Sequence, residues 1–193
     1  MKRICVFCGS SPSSRPEYVQ VARRLAHILV DRGIGLVYGG ASVGLMGEIA
    51  DAVLREGGEV TGVIPEMLLL KELAHPDLSE LVVVNSMHQR KLKMSELSDG
   101  FIALPGGFGT MEEFFEVLTW AQLGLHQKPC GILDVADYYR HLVSFMDHML
   151  SEGFLKDKWR NMVLIDTDPL SLLDRFDRYV PPEIGKWLSP ERT

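Results

Sequence analysis

The chain has 193 residues, 46% of them apolar, and a formal net charge of −6. Apolar residues spread along the whole length fit one globular domain over residues 1–193 with a full core. The acidic balance argues against a general attraction to nucleic acid, and no apolar run reaches the ~18 residues of a membrane helix.

Met1-Lys2-Arg3 runs straight into a strand-like segment, not into the apolar core of a signal peptide. Three cysteines are too few for a secreted disulfide framework. The expectation is a cytoplasmic protein with neither a membrane nor a nucleic-acid partner.

Strand and helix patterns alternate along the chain. Arg3 to Cys8 reads as a first strand, and Ser10 to Ser14 as a polar loop. Cys5 and Cys8 have the C-x-x-C spacing, but redox pairs of this kind sit at a helix N-terminus. Within a strand the two side chains face opposite ways, so they are expected to be buried packing residues. Pro16 to Arg32 carries apolar residues at helical spacing, and Gly33 ends it. Gly35 to Tyr38 is a second strand, and a turn over Gly39 to Gly44 opens a helix to Arg55. Glu59 to Ile64 is a strand stopped by Pro65, and Leu81 to Val84 another. Met87 to Ser98 reads as a helix, Phe101 to Leu104 as the fifth strand, and Thr110 to Leu123 as its helix. Cys130 to Leu133, a helix from Tyr138 to Glu152, a strand over Val163 to Ile165 and a helix capped at Asp168 complete the pattern.

Short apolar strands separated by helices predict an α/β fold. It is a three-layer, Rossmann-like parallel sheet with helices on both faces. Such sheets bind ligands at the carboxyl ends of their strands. Two Gly-rich turns fall there, one after Tyr38 and one after Leu104. The first has neither the G-x-G-x-x-G spacing nor a Walker A lysine.

The second turn, Leu104-Pro105-Gly106-Gly107-Phe108-Gly109-Thr110, leaves backbone amides bare at a helix N-terminus, which suits a phosphate. Glu113 lies one turn into that helix, where a carboxylate would repel the same anion. Its presence suggests chemistry on the ligand as well as binding; the plainer alternative is that it offsets the helix dipole.

Arg90 and Lys91 stand where a helix dipole disfavours cations, so a carboxylate or anion partner is one explanation and a solvated basic patch the other. The histidines show no metal spacing, and no G-x-S-x-G elbow occurs. The helix over 110–123 has an apolar arc of Met111, Phe114, Phe115, Val117, Leu118, Trp120, Ala121 and Leu123. An arc that wide needs cover on more than one side, which favours a two-fold dimer over a helix buried within one chain.

Pro105-Gly106-Gly107-x-Gly109-Thr110-x-x-Glu113 resembles the signature of the Lonely Guy family, cytokinin riboside 5′-monophosphate phosphoribohydrolases often mislabelled lysine decarboxylases. The resemblance extends to Val6-Phe7-Cys8-Gly9-Ser10-Ser11, Tyr38-Gly39-Gly40, Gly44-Leu45-Met46-Gly47, Met87-His88-x-Arg90-Lys91 and Thr119-Trp120-x-Gln122-Leu123-Gly124. Ala41 stands where relatives often carry a third glycine.

The resemblance implies hydrolysis of the N-glycosidic bond of an N6-modified adenosine 5′-monophosphate, giving free base and ribose 5-phosphate. It implies a homodimer that uses no metal and no pyridoxal phosphate or other cofactor. By position, the catalytic pair falls on Arg90 and Glu113. Substrate contacts are expected at Ser10, Gly39, Gly40, Glu72, Met87, Arg90, Lys91, Gly106, Gly107, Phe108, Gly109, Thr110, Met111, Glu112, Glu113 and Thr119.

An ionised Glu113 near the anomeric carbon suits an oxocarbenium-like transition state, with the Gly106 to Thr110 amides holding the phosphate. Arg90 either orients Glu113 and keeps it ionised or grips phosphate. Two other readings remain: a nucleotide-binding module without hydrolysis, and a decarboxylase needing a lysine Schiff base, for which Lys91 and Lys93 are the nearest candidates.

Overall fold

The computed structural model describes residues 1–12, 15–69 and 74–183. Among these residues seven parallel strands form one sheet: β1 (Arg3–Phe7), β2 (Gly35–Tyr38), β3 (Val60–Pro65), β4 (Glu80–Val84), β5 (Gly100–Ala103), β6 (Cys130–Leu133) and β7 (Val163–Asp166), in the order β4-β3-β2-β1-β5-β6-β7. The helices are α1 (Pro16–Asp31), α2 (Gly44–Arg55), α3 (Glu66–Leu69), α4 (Met87–Glu96), α5 (Phe108–Leu123), α6 (Arg140–Ser151), α7 (Asp157–Arg160) and α8 (Pro169–Asp177). A short 3-10 turn spans Val135–Asp137.

The period-two alternation of the strands divides the core into two layers. Ile4, Val6, Leu36 and Ile102 face α1, α2 and α8, where Leu25, Leu29, Ile49 and Phe176 pack on them. Cys5, Phe7, Val37 and Phe101 face the other way, onto Met94 of α4, Phe114 of α5 and Met146 of α6. Cys5 and Cys8 lie in opposite layers, buried and free of disulfides. Burial pushes both thiols up, with the negative charge of Glu113 adding to it, so neither is a ready nucleophile.

Chain order jumps at β1, which pairs with β2 on one side and β5 on the other. The loop after β1 leads to a helix on one face and the loop after β5 to a helix on the other. The two loops separate there and leave a crevice at the strand C-termini, the switch point at which such sheets take ligands. They remain tied at the base, where the Leu104 amide donates to the Phe7 carbonyl at 2.9 Å and the Gly9 amide to the Pro105 carbonyl at 3.0 Å.

Several boundaries differ from the sequence reading. Pro65 does not stop β3 but is its last residue, paired in register with Val84; proline is tolerated at such a strand end because little pairing is lost there. The first strand ends at Phe7, and α4 ends at Glu96, after which the Ser98 hydroxyl donates to the Met94 carbonyl at 2.8 Å. Helix α5 begins at Phe108, two residues before Thr110, which brings Gly109 and Thr110 into its first turn. Tyr138 and Tyr139 precede α6 because the positive φ values of Ala136 and Asp137 break the helical path. The short α3, α7 and 3-10 turn carry too few residues for a periodic signal.

Asp99, before β5, accepts the Lys2 and Arg3 amides at 2.6 and 3.1 Å and joins the start of β1 to that of β5. Partial burial opposes its charge, but these bonds outweigh that and hold its carboxyl below the ordinary carboxylate range. A lowered folded value stabilises above the unfolded pKa of about 3.9 and is lost as pH falls through the folded one. Asp99→Ala is therefore expected to cost about 1 kcal/mol at pH 7 in urea denaturation. The difference from the parent chain should shrink as pH drops below about 4. A cost unchanged at pH 3 would contradict this account.

Candidate active site

A cavity of about 550 Å³ opens between the loops after β1 and β5. Its floor is the loop Pro105-Gly106-Gly107 and the first turn of α5 through Thr110. The amides of that turn precede the first intrahelical bond, in which the Met111 amide reaches the Gly107 carbonyl at 3.2 Å. First-turn amides have no carbonyl of their own helix to bond, so they are donors for an anion. Gly106 is compelled: a Cβ there would lie 2.0 Å from the Thr110 hydroxyl and 2.9 Å from the Gly9 nitrogen.

Glu112 and Glu113 line the wall one turn along α5, with Arg90 and Met87 from α4. Helix α4 is capped by Ser86, whose hydroxyl accepts the Gln89 amide at 3.2 Å. The Gln89 side chain returns to the Asn85 amide at 2.9 Å, a close variant of the capping box.

Arg90 is only 5% exposed. Its Nε donates to the Val63 carbonyl at 3.0 Å and its Nη2 to the Gly39 carbonyl at 2.8 Å. A buried guanidinium needs such acceptors, and here they come from within β3 and from the residue that follows β2. The negative charge of Glu113 acts on the buried thiols of Cys5 in β1 and Cys8 just after it.

Of the residues the sequence marked out, Ser10, Met87, Arg90, Gly106, Gly107, Phe108, Gly109, Thr110, Glu112 and Glu113 surround this cavity. Five do not reach it. Gly39 and Gly40 are buried beneath it and serve as supports. Gly39 holds Arg90, and the Gly40 carbonyl accepts the His75 amide at 3.0 Å. Within the first Gly-rich turn, Gly39 thus braces a cation.

Lys91 turns away to pair with Glu112 and with Glu116, the latter at 3.0 Å. Burial opposes its charge, but the two carboxylates outweigh that and raise its pKa. Met111 packs towards the core layer that holds Phe7 and Phe114, and Thr119 lies on exposed α5 surface with its hydroxyl donating to the Phe115 carbonyl at 2.7 Å. Glu72 falls outside the described residues.

Sequence reasoning passed over Tyr18, Leu45, Met46, Leu68 and Tyr138, which also line the cavity. Leu45 and Met46 follow the turn after β2, so the rule that ligands bind at strand C-termini would have found them. Tyr18 and Leu68 belong to α1 and α3 and carry no such signal. Among the described residues, no three His, Cys, Asp or Glu side chains gather as a metal set. No described helix is long and apolar enough to cross a membrane.

The brace is open to test. A Cβ on Gly39 would lie 2.2 Å from Arg90 Nη2 and 2.3 Å from Met46 Cε, whereas one on Gly107 meets nothing within 4 Å. Gly39→Ala is expected to cost about 1–3 kcal/mol of stability, and Gly107→Ala to stay within about 0.5 kcal/mol of the parent, both by urea denaturation. Equal costs would contradict the brace.

The sequence matches the family described as "Possible lysine decarboxylase" over residues 46–176. It is 50% identical over 181 residues to a probable cytokinin riboside 5′-monophosphate phosphoribohydrolase of Oryza sativa subsp. japonica, covering 94% of this chain and 74% of the relative. It is 48% identical to a cytokinin riboside 5′-monophosphate phosphoribohydrolase of Arabidopsis thaliana, covering 93% and 84%. In fold it resembles the molybdenum cofactor binding protein from Rippkaea orientalis, with a TM-score of 0.69, 20% identity and coverage of 92% and 97%. At that identity the likeness speaks for the fold alone. With relatives this similar along nearly its whole length, the chain belongs to the Lonely Guy family.

Proposed function

We propose that this chain is a single-domain, cytoplasmic hydrolase that cleaves the N-glycosidic bond of adenosine 5′-monophosphates, N6-modified ones included, releasing free base and ribose 5-phosphate. The observation that carries the reading is the placement of a carboxylate, Glu113, one helical turn from a set of bare amides in the same cavity. A turn of helix advances about 5.4 Å, the scale of a ribose between its 5′-phosphate and its anomeric carbon. With phosphate on the amides of Gly106 to Thr110, the sugar lies against Glu113. The names of the relatives agree with this substrate class.

The chemistry follows from that placement. As the bond to the base lengthens, positive charge grows on the anomeric carbon and ring oxygen, and ionised Glu113 stabilises it. Water adds to the anomeric carbon, and the base leaves with the bonding electron pair and takes up a proton. Arg90, fixed by two carbonyls, lines the same cavity as Glu113 and brings a positive charge there to orient the carboxylate or grip the phosphate. A phosphate grip of this kind favours nucleotide over nucleoside.

Buried thiols without disulfides suit a reducing compartment. A decarboxylase reading finds no lysine among the described residues lining the cavity, since Lys91 is engaged by Glu112 and Glu116 and Lys93 pairs with Glu96 at 3.4 Å.

The proposal includes a homodimer. Along α5, Met111, Phe115, Leu118 and Trp120 are only half-buried, and Leu123 is 47% exposed, with Leu92 of α4 at 52%. A second copy would cover this face and would bring Thr119 into the subunit contact. Light scattering is expected to return twice the 21.6 kDa chain mass at micromolar concentration, and a monomer would contradict it.

Chromatographic detection of free base from AMP, N6-isopentenyl-AMP and their nucleosides tests the reaction. Base is expected from the monophosphates at the higher kcat/KM. Glu113→Gln should lose turnover by on the order of 100-fold or more while still binding AMP. Full activity in that variant would remove Glu113 from the chemistry, and binding of AMP without base release by the parent chain would favour a carrier.

A further inference from the structure

Ala136 and Asp137 adopt φ values of 51° and 58°, a left-handed conformation unfavourable for residues with a side chain. Such strain persists where the surroundings over-determine it, and it points to a use. Here it turns the chain so that two successive tyrosines reach back to the phosphate loop. The Tyr138 hydroxyl donates to the Gly106 carbonyl at 2.6 Å, and the Tyr139 hydroxyl to the Leu104 carbonyl at 2.6 Å. Asp134 fixes the turn by accepting the Tyr139 amide at 2.8 Å. The Tyr138 ring lines the cavity and stands edge-on to Tyr18, with centroids 5.7 Å apart.

Among the described residues no peptide bond is cis, and in a trans peptide the carbonyl and the following N–H point in opposite directions. The Gly106 carbonyl and the Gly107 amide share one such plane. Holding the carbonyl therefore holds the amide, and Gly107 is the N-cap of α5, where the bare donors begin. Gly107 has nothing within 4 Å of a built Cβ, so no neighbouring side chain steadies it from that direction. We propose that Tyr138 is a positioning residue that aims the Gly107 amide at the substrate's 5′-phosphate and so sets the preference for nucleotide over nucleoside; this rests on the nucleotide reading above.

Tyr139 provides a control within the same loop. Its bond has the same length and the same kind of acceptor, but the residue after Leu104 is Pro105, which has no N–H. Tyr139 therefore aims no donor and contributes to stability alone.

The test compares Tyr138→Phe and Tyr139→Phe in steady-state hydrolysis of AMP and adenosine, with calorimetric binding of ribose 5-phosphate. Tyr138→Phe keeps the ring and should fold, since the residue is 42% exposed and water can reach the freed carbonyl. It is expected to raise KM for AMP about five- to tenfold with a smaller change in kcat, and to lower the AMP-to-adenosine ratio of kcat/KM by the same factor. Ribose 5-phosphate should bind more weakly in proportion.

Tyr139→Phe should lower Tm and leave the ratio as in the parent. Equal losses on both substrates in Tyr138→Phe, an unchanged affinity for ribose 5-phosphate, or an equal shift of the ratio in Tyr139→Phe would overturn the assignment. If the parent chain releases no base at all, the hydrolase reading fails. The ribose 5-phosphate comparison then decides on Tyr138 alone, and absent or equal binding overturns it.

Discussion

The backbone amides that open α5 have no carbonyl of their own helix to bond, and the same helix carries a carboxylate one turn further on. These two features are in tension. The amides attract an anion, and Glu113 repels one. A ligand that is anionic at one end and becomes cationic at the other resolves the conflict, and a ribose 5-phosphate losing its base has that character. The rest of the site serves this juxtaposition. Gly106 lets the loop pass within reach of Gly9 and Thr110, Arg90 brings a positive charge to the wall, and the carbonyls of Gly39 and Val63 hold Arg90 in place.

The sheet supplies the location. Parallel strands carry their loops to one end, and the switch between β1 and β5 parts two of those loops. The bonds from Leu104 to Phe7 and from Gly9 to Pro105 keep the gap narrow at its base. Two core layers hold the strands at fixed spacing, so the cavity inherits the rigidity of the sheet. The energetic support for the chemistry lies in packing well away from it.

Much of this was legible in the sequence, for physical reasons. Strand positions followed from short apolar runs, and β2 and β6 begin and end where the sequence reading put them because Gly, Pro and polar residues bound them sharply. The loop at Pro105 to Thr110 was legible because a proline and clustered glycines between an apolar run and a helix-forming run mark a strand-to-helix turn. What spacing did not carry was direction. Gly39, Gly40 and Lys91 sit in motifs beside the site, yet Gly39 and Gly40 brace it from below and Lys91 faces Glu112 and Glu116. Spacing along a chain does not say which way a turn faces or which carboxylate a cation finds. Tyr138 was missed for a related reason: its approach to Gly106 depends on two left-handed residues that nothing in Ala136-Asp137 announces.

The central claim concerns where the sugar lies. A crystal structure of the Glu113→Gln variant with AMP tests it most directly. The account predicts the 5′-phosphate on the amides of Gly106 to Thr110 and the anomeric carbon within about 4 Å of the side chain at position 113, ordinary contact distance. A phosphate bound elsewhere, or a ribose turned so that its anomeric carbon faces away from α5, would contradict it.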